Sequence, residues 1–222
     1  MNPWFIVPVS LVIVAGIIAL VIRYDKKRRE ALKEKAMTLG FSYTPKTGVS
    51  EIKSAQEFHL FNIGHSRRIK NMMQRTSEGM QSAIYDYQYT TGGGQNSHTS
   101  VQTVFQFESE RLRLPAFILR PENIFHKIGQ SFGYQDIDFE SFPEFSKRYL
   151  LRGKDESDIR KLFNQAIISF FEQEKGIVVE GKGQIIICYR SGKRVKPDDL
   201  FEMIEKMRRI YNLFLQRCDY LY

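Results

Sequence analysis

Cysteine is nearly absent: two residues in 222, thirty positions apart, cannot build the framework of bridges on which small secreted scaffolds depend. Histidine is scarce too, with four residues. His59, His65, His98 and His126 lie in unlike contexts, none of them three or four positions from another or from a cysteine, so no zinc site is spaced along the chain. No GxSxG and no HExxH occurs. The Gly-rich run TGGGQNS (91–97) lacks the Gly-Lys-Ser/Thr ending of a phosphate loop and reads as a hairpin turn. At 42% hydrophobic and 26% charged, with 15 glycines and 7 prolines, the composition excludes a disordered or collagen-like chain. These absences leave no cofactor and no metal to expect, and no reaction to name.

What is present is concentrated at the start. Residues 3–22, PWFIVPVSLVIVAGIIALVI, are twenty in a row without a charge. As a helix they would span about 30 Å, the hydrocarbon thickness of a bilayer. A cleaved signal would want a basic leader and a small-residue cleavage site, and neither is evident. The expectation is a retained transmembrane anchor over 1–22. Arg23, Lys26, Lys27, Arg28 and Arg29 follow at once and are read as contacts to lipid headgroups. Residues 23–39 hold seven basic and three acidic side chains, so half of the chain's net charge of +8 sits there. Such a flank stays in the cytoplasm, which puts the N-terminus outside. The remaining charge is too thinly spread to argue for nucleic acid. Residues 23–39 are also rich in helix formers and precede Gly40, which predicts a charged juxtamembrane stalk, with a flexible linker as the alternative.

Residues 40–222 predict one α+β domain: a mostly antiparallel sheet packed with two long amphipathic helices. Strand-like runs occupy 67–75, 80–91 and 98–109, with FSYTP before them, 115–120 and 147–152 after, and a hairpin in GIVVEGKGQIIICYR turned at Gly181-Lys182-Gly183. In 80–91, Tyr85, Tyr87 and Tyr89 alternate with Ile84, Asp86 and Gln88, the pattern of a strand with one buried face. A brief helix is read after Pro121. The first long helix starts at Asp155 and carries Ile159, Leu162, Phe163, Ala166, Ile167, Phe170 and Phe171 on one stripe. The second starts at Pro197. Cys188 and Cys218 fall on apolar faces and read as small hydrophobes.

Three side chains stand out as a possible functional cluster, Arg120 with Asp136 and Asp138, the two acids lying on one side of an extended segment; for an enzyme with a dispersed site His126 would be a fourth candidate. The same stretches carry a resemblance. LPAFILRPENIF (114–125) and QDIDFESFPEFSKRYLLRGKDESDIRKLF (135–163), with YDYQYTTGGG and QTVFQF upstream, resemble a group of uncharacterised bacterial proteins in which one N-terminal helix precedes an α+β domain. The patterns LPxFxLRPE and FSxxYLLxG carry it. The resemblance implies a bacterial, membrane-anchored domain of unknown activity and brings no catalytic residues; with the topology above, the expected location is the inner membrane. The reading is therefore a single-pass, membrane-anchored binding module for a membrane-associated protein, with the aromatic stretch 139–145 as a candidate patch. Two alternatives stay open: an enzyme with a dispersed site, and a sensor of anionic lipid headgroups.

Overall fold

The computed structural model describes residues 6–52, 54–122 and 136–221, and begins with a helix of 33 residues, α1 (Ile6–Thr38). The helix runs without a break from the apolar stretch into the charged one. It stops where Gly40 takes a φ of +72°. The Gly40 N–H then donates to the Met37 carbonyl at 3.2 Å and the Phe41 N–H to that of Ala36 at 2.8 Å, a Schellman stop. The linker alternative is thereby excluded, but the helix is no free-standing stalk. Leu32 and Ala36 are 2% and 0% exposed and belong to the same core as Phe41 and Phe107. With Arg28 they form a stripe four residues apart that faces the sheet. Among the described residues no helix is long and apolar enough to cross a membrane. Described side chains in α1 begin at Ala15, eight positions before Arg23.

Eight strands follow: β1 (Ser42–Thr47), β2 (His65–Ser77), β3 (Met80–Thr91), β4 (His98–Ser109), β5 (Leu114–Pro121), β6 (Tyr149–Gly153), β7 (Val178–Gly183) and β8 (Ile185–Tyr189). They make one sheet in the order β1-β2-β3-β4-β8-β7-β5-β6, antiparallel throughout. The Gly-rich turn brings Thr91 opposite His98, as its composition predicts. Pro45 does not end β1. The ladder passes over it, from Thr44–Met72 to Lys46–Lys70, and an edge strand tolerates the missing N–H. The β7–β8 hairpin is inserted between β4 and β5, so two strands consecutive in sequence are separated in space.

The helices α2 (Pro143–Arg148), α3 (Glu156–Leu162), α4 (Gln165–Gln173) and α5 (Leu200–Leu221) pack with the end of α1 on one face. The expected first long helix is in fact two. Asn164 breaks it, its side chain accepting the Ile167 N–H at 3.0 Å as the cap of α4. Most of the apolar stripe survives the break: Ile159, Leu162, Phe163, Ile167 and Phe171 are buried and Phe170 half-buried, while Ala166 is exposed. Asn164→Ala should therefore cost about 1 kcal/mol in chemical denaturation, while Asn164→Asp stays near neutral; equal losses for both would show that the cap is not what matters. Of these four helices only α5 is long, and it begins at Leu200, since Pro197 lies in the preceding turn.

The opposite face carries a second core. Three 3-10 turns (Val49–Glu51, Ala55–Glu57, His59–Asn62) lay Ile52, Phe58, Leu60 and Phe61 over Tyr85, Tyr87, Tyr89 and Ile187. Burial on both faces corrects the one-sided reading of β3: Ile84 is 1% exposed and Asp86 4%. The expected aromatic patch is likewise taken up. Phe145 is fully buried, with Phe139 and Phe142 packed against the core. The brief helix read after Pro121 falls mostly in 123–135, outside the described residues.

Candidate functional site at the root of the N-terminal helix

Asp86 sits in the middle of β3, pointing to the helical face, where a lone carboxylate would be costly. Four donors satisfy it. Arg28 reaches down from α1 with Nε to Oδ2 and Nη2 to Oδ1, both at 2.9 Å. The Asn71 side-chain amide donates to Oδ2 at 2.9 Å and the Thr103 hydroxyl to Oδ1 at 2.8 Å. Thr103 is the cross-strand partner of Asp86 on β4. Asn71 reaches it through a bulge in β2 between Lys70 and Met73, where Asn71 holds a left-handed φ of 54°. Asn accepts that conformation more readily than most residues, and the bulge re-aims its side chain. Tyr43 completes the chain, its hydroxyl donating to Asn71 Oδ1 at 2.7 Å. Burial raises the Tyr43 pKa.

The loop before α5 closes over this node. Arg28 Nη1 donates to the Val195 carbonyl at 2.8 Å, and the Val195 N–H donates to the Thr103 hydroxyl at 2.9 Å. The Thr103 N–H pairs with the Lys193 carbonyl at 3.1 Å. Arg194 lies over the Tyr24 ring at 5.7 Å and approaches Asp25 at 3.6 Å, and Lys70 reaches Asp25 at 3.5 Å. Two strands, a loop and a bulge thus grip one turn of α1.

This placement corrects one expected lipid contact. Arg28 is 7% exposed and saturated by Asp86 and Val195, so it is a fastening, not a headgroup ligand. Arg23, Lys26, Lys27 and Arg29 remain exposed. A residue four positions ahead of Leu32 on the packed stripe has to face the sheet, whatever its charge.

The cluster of Arg120, Asp136 and Asp138 comes together in part. Arg120 is buried on β5, and burial, then the charge of Arg152, lowers its pKa, opposed by Tyr189, Asp136 and Glu122. Asp136 accepts the Leu151 N–H at 3.0 Å, while the next residue's N–H donates to the Leu151 carbonyl at 2.8 Å, so this segment runs along β6 as its edge partner. Burial, with Asp138 next, raises the Asp136 pKa. Asp138 is exposed, and its carbonyl takes Arg160 Nη1 at 2.8 Å. His126 lies outside the described residues, and among those described no three His, Cys, Asp or Glu gather as a metal would need. Cys188 and Cys218 are buried free thiols whose pKa values burial raises.

A second buried acid was not anticipated. Glu180 of β7, 2% exposed, accepts the backbone N–H groups of His59 at 2.6 Å and Leu60 at 3.2 Å and the Tyr189 hydroxyl at 2.8 Å. It pins the third 3-10 turn to the sheet. Burial holds its pKa up at about 7, although those three bonds and Arg120 act in the other direction. The only trace in the sequence is an acid inside the run IVVEG.

Fold and site together define an α+β domain, one antiparallel sheet with helices on one face, to which the N-terminal helix is bolted by a buried ion pair. Among solved structures the chain is similar to the mycobacterial trehalose monomycolate transport factor A, TtfA, with a TM-score of 0.61 over 86% of this chain and 94% of that one. At 12% identity the likeness shows the fold alone. No family model and no curated protein matches the sequence.

Proposed function

We propose that the chain is a single-pass, membrane-anchored binding module of the bacterial inner membrane, its N-terminus outside and its sheet domain in the cytoplasm, acting on a membrane-associated protein partner. The observation that carries this reading is the contrast between the two ends of α1. At the charged end, Arg28, Leu32 and Ala36 are buried against the sheet. At the apolar end, Ile17, Ile18, Leu20, Val21 and Ile22 are 54–68% exposed. Large aliphatic side chains left uncovered on consecutive turns support an apolar surrounding for this end of the helix. The uncharged run 3–22 has the length a bilayer demands, and the basic residues after it set the orientation. Because the helix enters the domain through a rigid clamp, the domain would be held at a fixed attitude to the bilayer. Anchoring also raises its effective concentration for partners in the same membrane, so that weak contacts suffice.

In-cell crosslinking of the full-length, tagged chain tests this. A second version has residues 3–22 replaced by an unrelated span. The expected result is one reproducible protein partner for both versions, with crosslinks mapping to the sheet domain. A partner lost with the native span, or none at all, overturns the binding-module reading. A reporter fused after Tyr222 that is active only outside the cytoplasm overturns the topology.

A further inference from the structure

Beside the clamp lies a cavity of about 170 Å³, walled by residues from α1, four strands and the loop before α5. Asp25 and Arg29 come from α1, Lys46 from β1, Lys70 from β2 and Arg194 from the loop before α5, with Asp86 at the floor. Four cations thus face two carboxylates. Asp86 is already neutralised by Arg28 and saturated by four donors. Asp25 is divided between Lys70 at 3.5 Å and Arg194 at 3.6 Å, distances at the long end of contact. Arg29 and Lys46 are exposed and hold no ion pair among the described residues. Like charges around one concave space repel unless an anion joins them, and the concavity concentrates their field. Guanidinium and ammonium donors converging on such a space suit the oxygens of a phosphate group. The volume corresponds to about six waters, room for a phosphate and a short polyol.

The position of the cavity, taken with the anchor reading on which this inference rests, selects the source. At about 1.5 Å per residue, Asp25 lies about 5 Å and Arg29 about 10 Å along the helix beyond Ile22, the last uncharged position. The headgroup layer on each side of a bilayer is about 5–7 Å deep, so Asp25 falls within it, and Arg29, a few ångströms past its edge, extends back toward it because helical side chains lean toward the N-terminus. The stacking of Arg194 on Tyr24 fixes the loop at that same level. We propose that this cavity binds a phosphate group, presented by the headgroup of an anionic membrane lipid. Arg29, Lys46, Lys70 and Arg194 are its donors, and Asp25 holds two of them in place.

The test uses the full chain in zwitterionic micelles, with bound lipid counted by native mass spectrometry. Phosphatidylglycerol and phosphatidylcholine are the lipid probes and glycerol phosphate is the soluble one. The variant is Arg29→Gln with Lys46→Gln, whose exposed side chains leave the fold intact, as an unchanged melting temperature would verify. Lys154→Gln with Lys175→Gln serves as a charge-matched control outside the cavity. Preferential binding of phosphatidylglycerol, weakened about tenfold or more by the first pair and not by the second, is the expected result. Binding of glycerol phosphate with that same dependence, and none of the lipid, keeps the phosphate site but overturns its lipid source. Equal affinity of parent and Arg29/Lys46 variant for both probes overturns the site itself. Flotation with phosphatidylcholine vesicles is scored separately: a chain that fails to float refutes the anchor, while glycerol phosphate still tests the cavity.

Discussion

Asp86→Ala should cost the domain about 3–5 kcal/mol and release α1 from the sheet, because it strands the Arg28 guanidinium in a buried site. Two other groups lose their acceptor in the same step, Asn71 Nδ2 and the Thr103 hydroxyl, and the Thr103 oxygen that takes the Val195 N–H of the closing loop is no longer held in place by Asp86. The loss should be visible as a lower denaturation midpoint and as faster amide exchange over residues 28–38 and 190–196. Replacing both partners, Arg28→Met with Asp86→Leu, should recover part of the stability, since it removes the stranded charge while Asn71 Nδ2 and the Thr103 hydroxyl stay without their acceptor. The clamp reading also requires that recovery in stability not restore the attitude of the helix, for the Arg28 bond to the Val195 carbonyl stays lost. Distances by paired spin labels on α1 and the loop before α5 would report it. If Asp86→Ala melts within about 0.5 kcal/mol of the parent, the ion pair is not a fastening.

The second large effect belongs to Glu180 and is a pH dependence. Its folded-state pKa is raised from 4.5 to about 7, so the folded protein holds that proton more tightly than the unfolded chain does. The contribution is therefore fully present below the unfolded value and is lost as pH rises through about 7. Over that window it amounts to about 3 kcal/mol. Glu180→Gln keeps an acceptor oxygen for the His59 and Leu60 N–H groups and cannot titrate, so its stability should lack this fall between about pH 4.5 and 7. Parallel pH profiles for parent and variant would refute the assignment. Glu180→Ala should be worse than either at every pH, because two backbone donors and the Tyr189 hydroxyl lose their acceptor.

Much of the molecule was legible where structure depends on near neighbours. The alternation in 80–91 and 98–109 located β3 and β4 to the residue, and the glycines between them announced the turn. Gly40 marked the end of α1 because a left-handed stop suits a residue without a side chain. Periodicity misled at Asn164. An apolar stripe continues across a break so long as the two segments bury the same side, and only the capping bond reveals the interruption. It misled at Asp86 too, since alternation distinguishes the faces of a strand without saying that both are covered, one of them by a buried polar partner.

The candidate site was less visible, and Arg28 illustrates why. In sequence it is one of five basic residues behind an apolar run, and nothing local separates it from Lys27 or Arg29. Its partners lie 58 residues away at Asp86 and 167 away at Val195. The sequence by itself determined the uncharged run, the basic flank, the helix stop and the spans of the central strands, all of which follow from contacts within a few residues. Tertiary structure alone decided that the β7–β8 hairpin enters between β4 and β5, that Arg28 turns inward while its neighbours face out, and that four cations from four distant segments share one cavity. Such pairings are set by which strands lie side by side and which helix face packs on them, and the periodicity of any one segment contains no information about either.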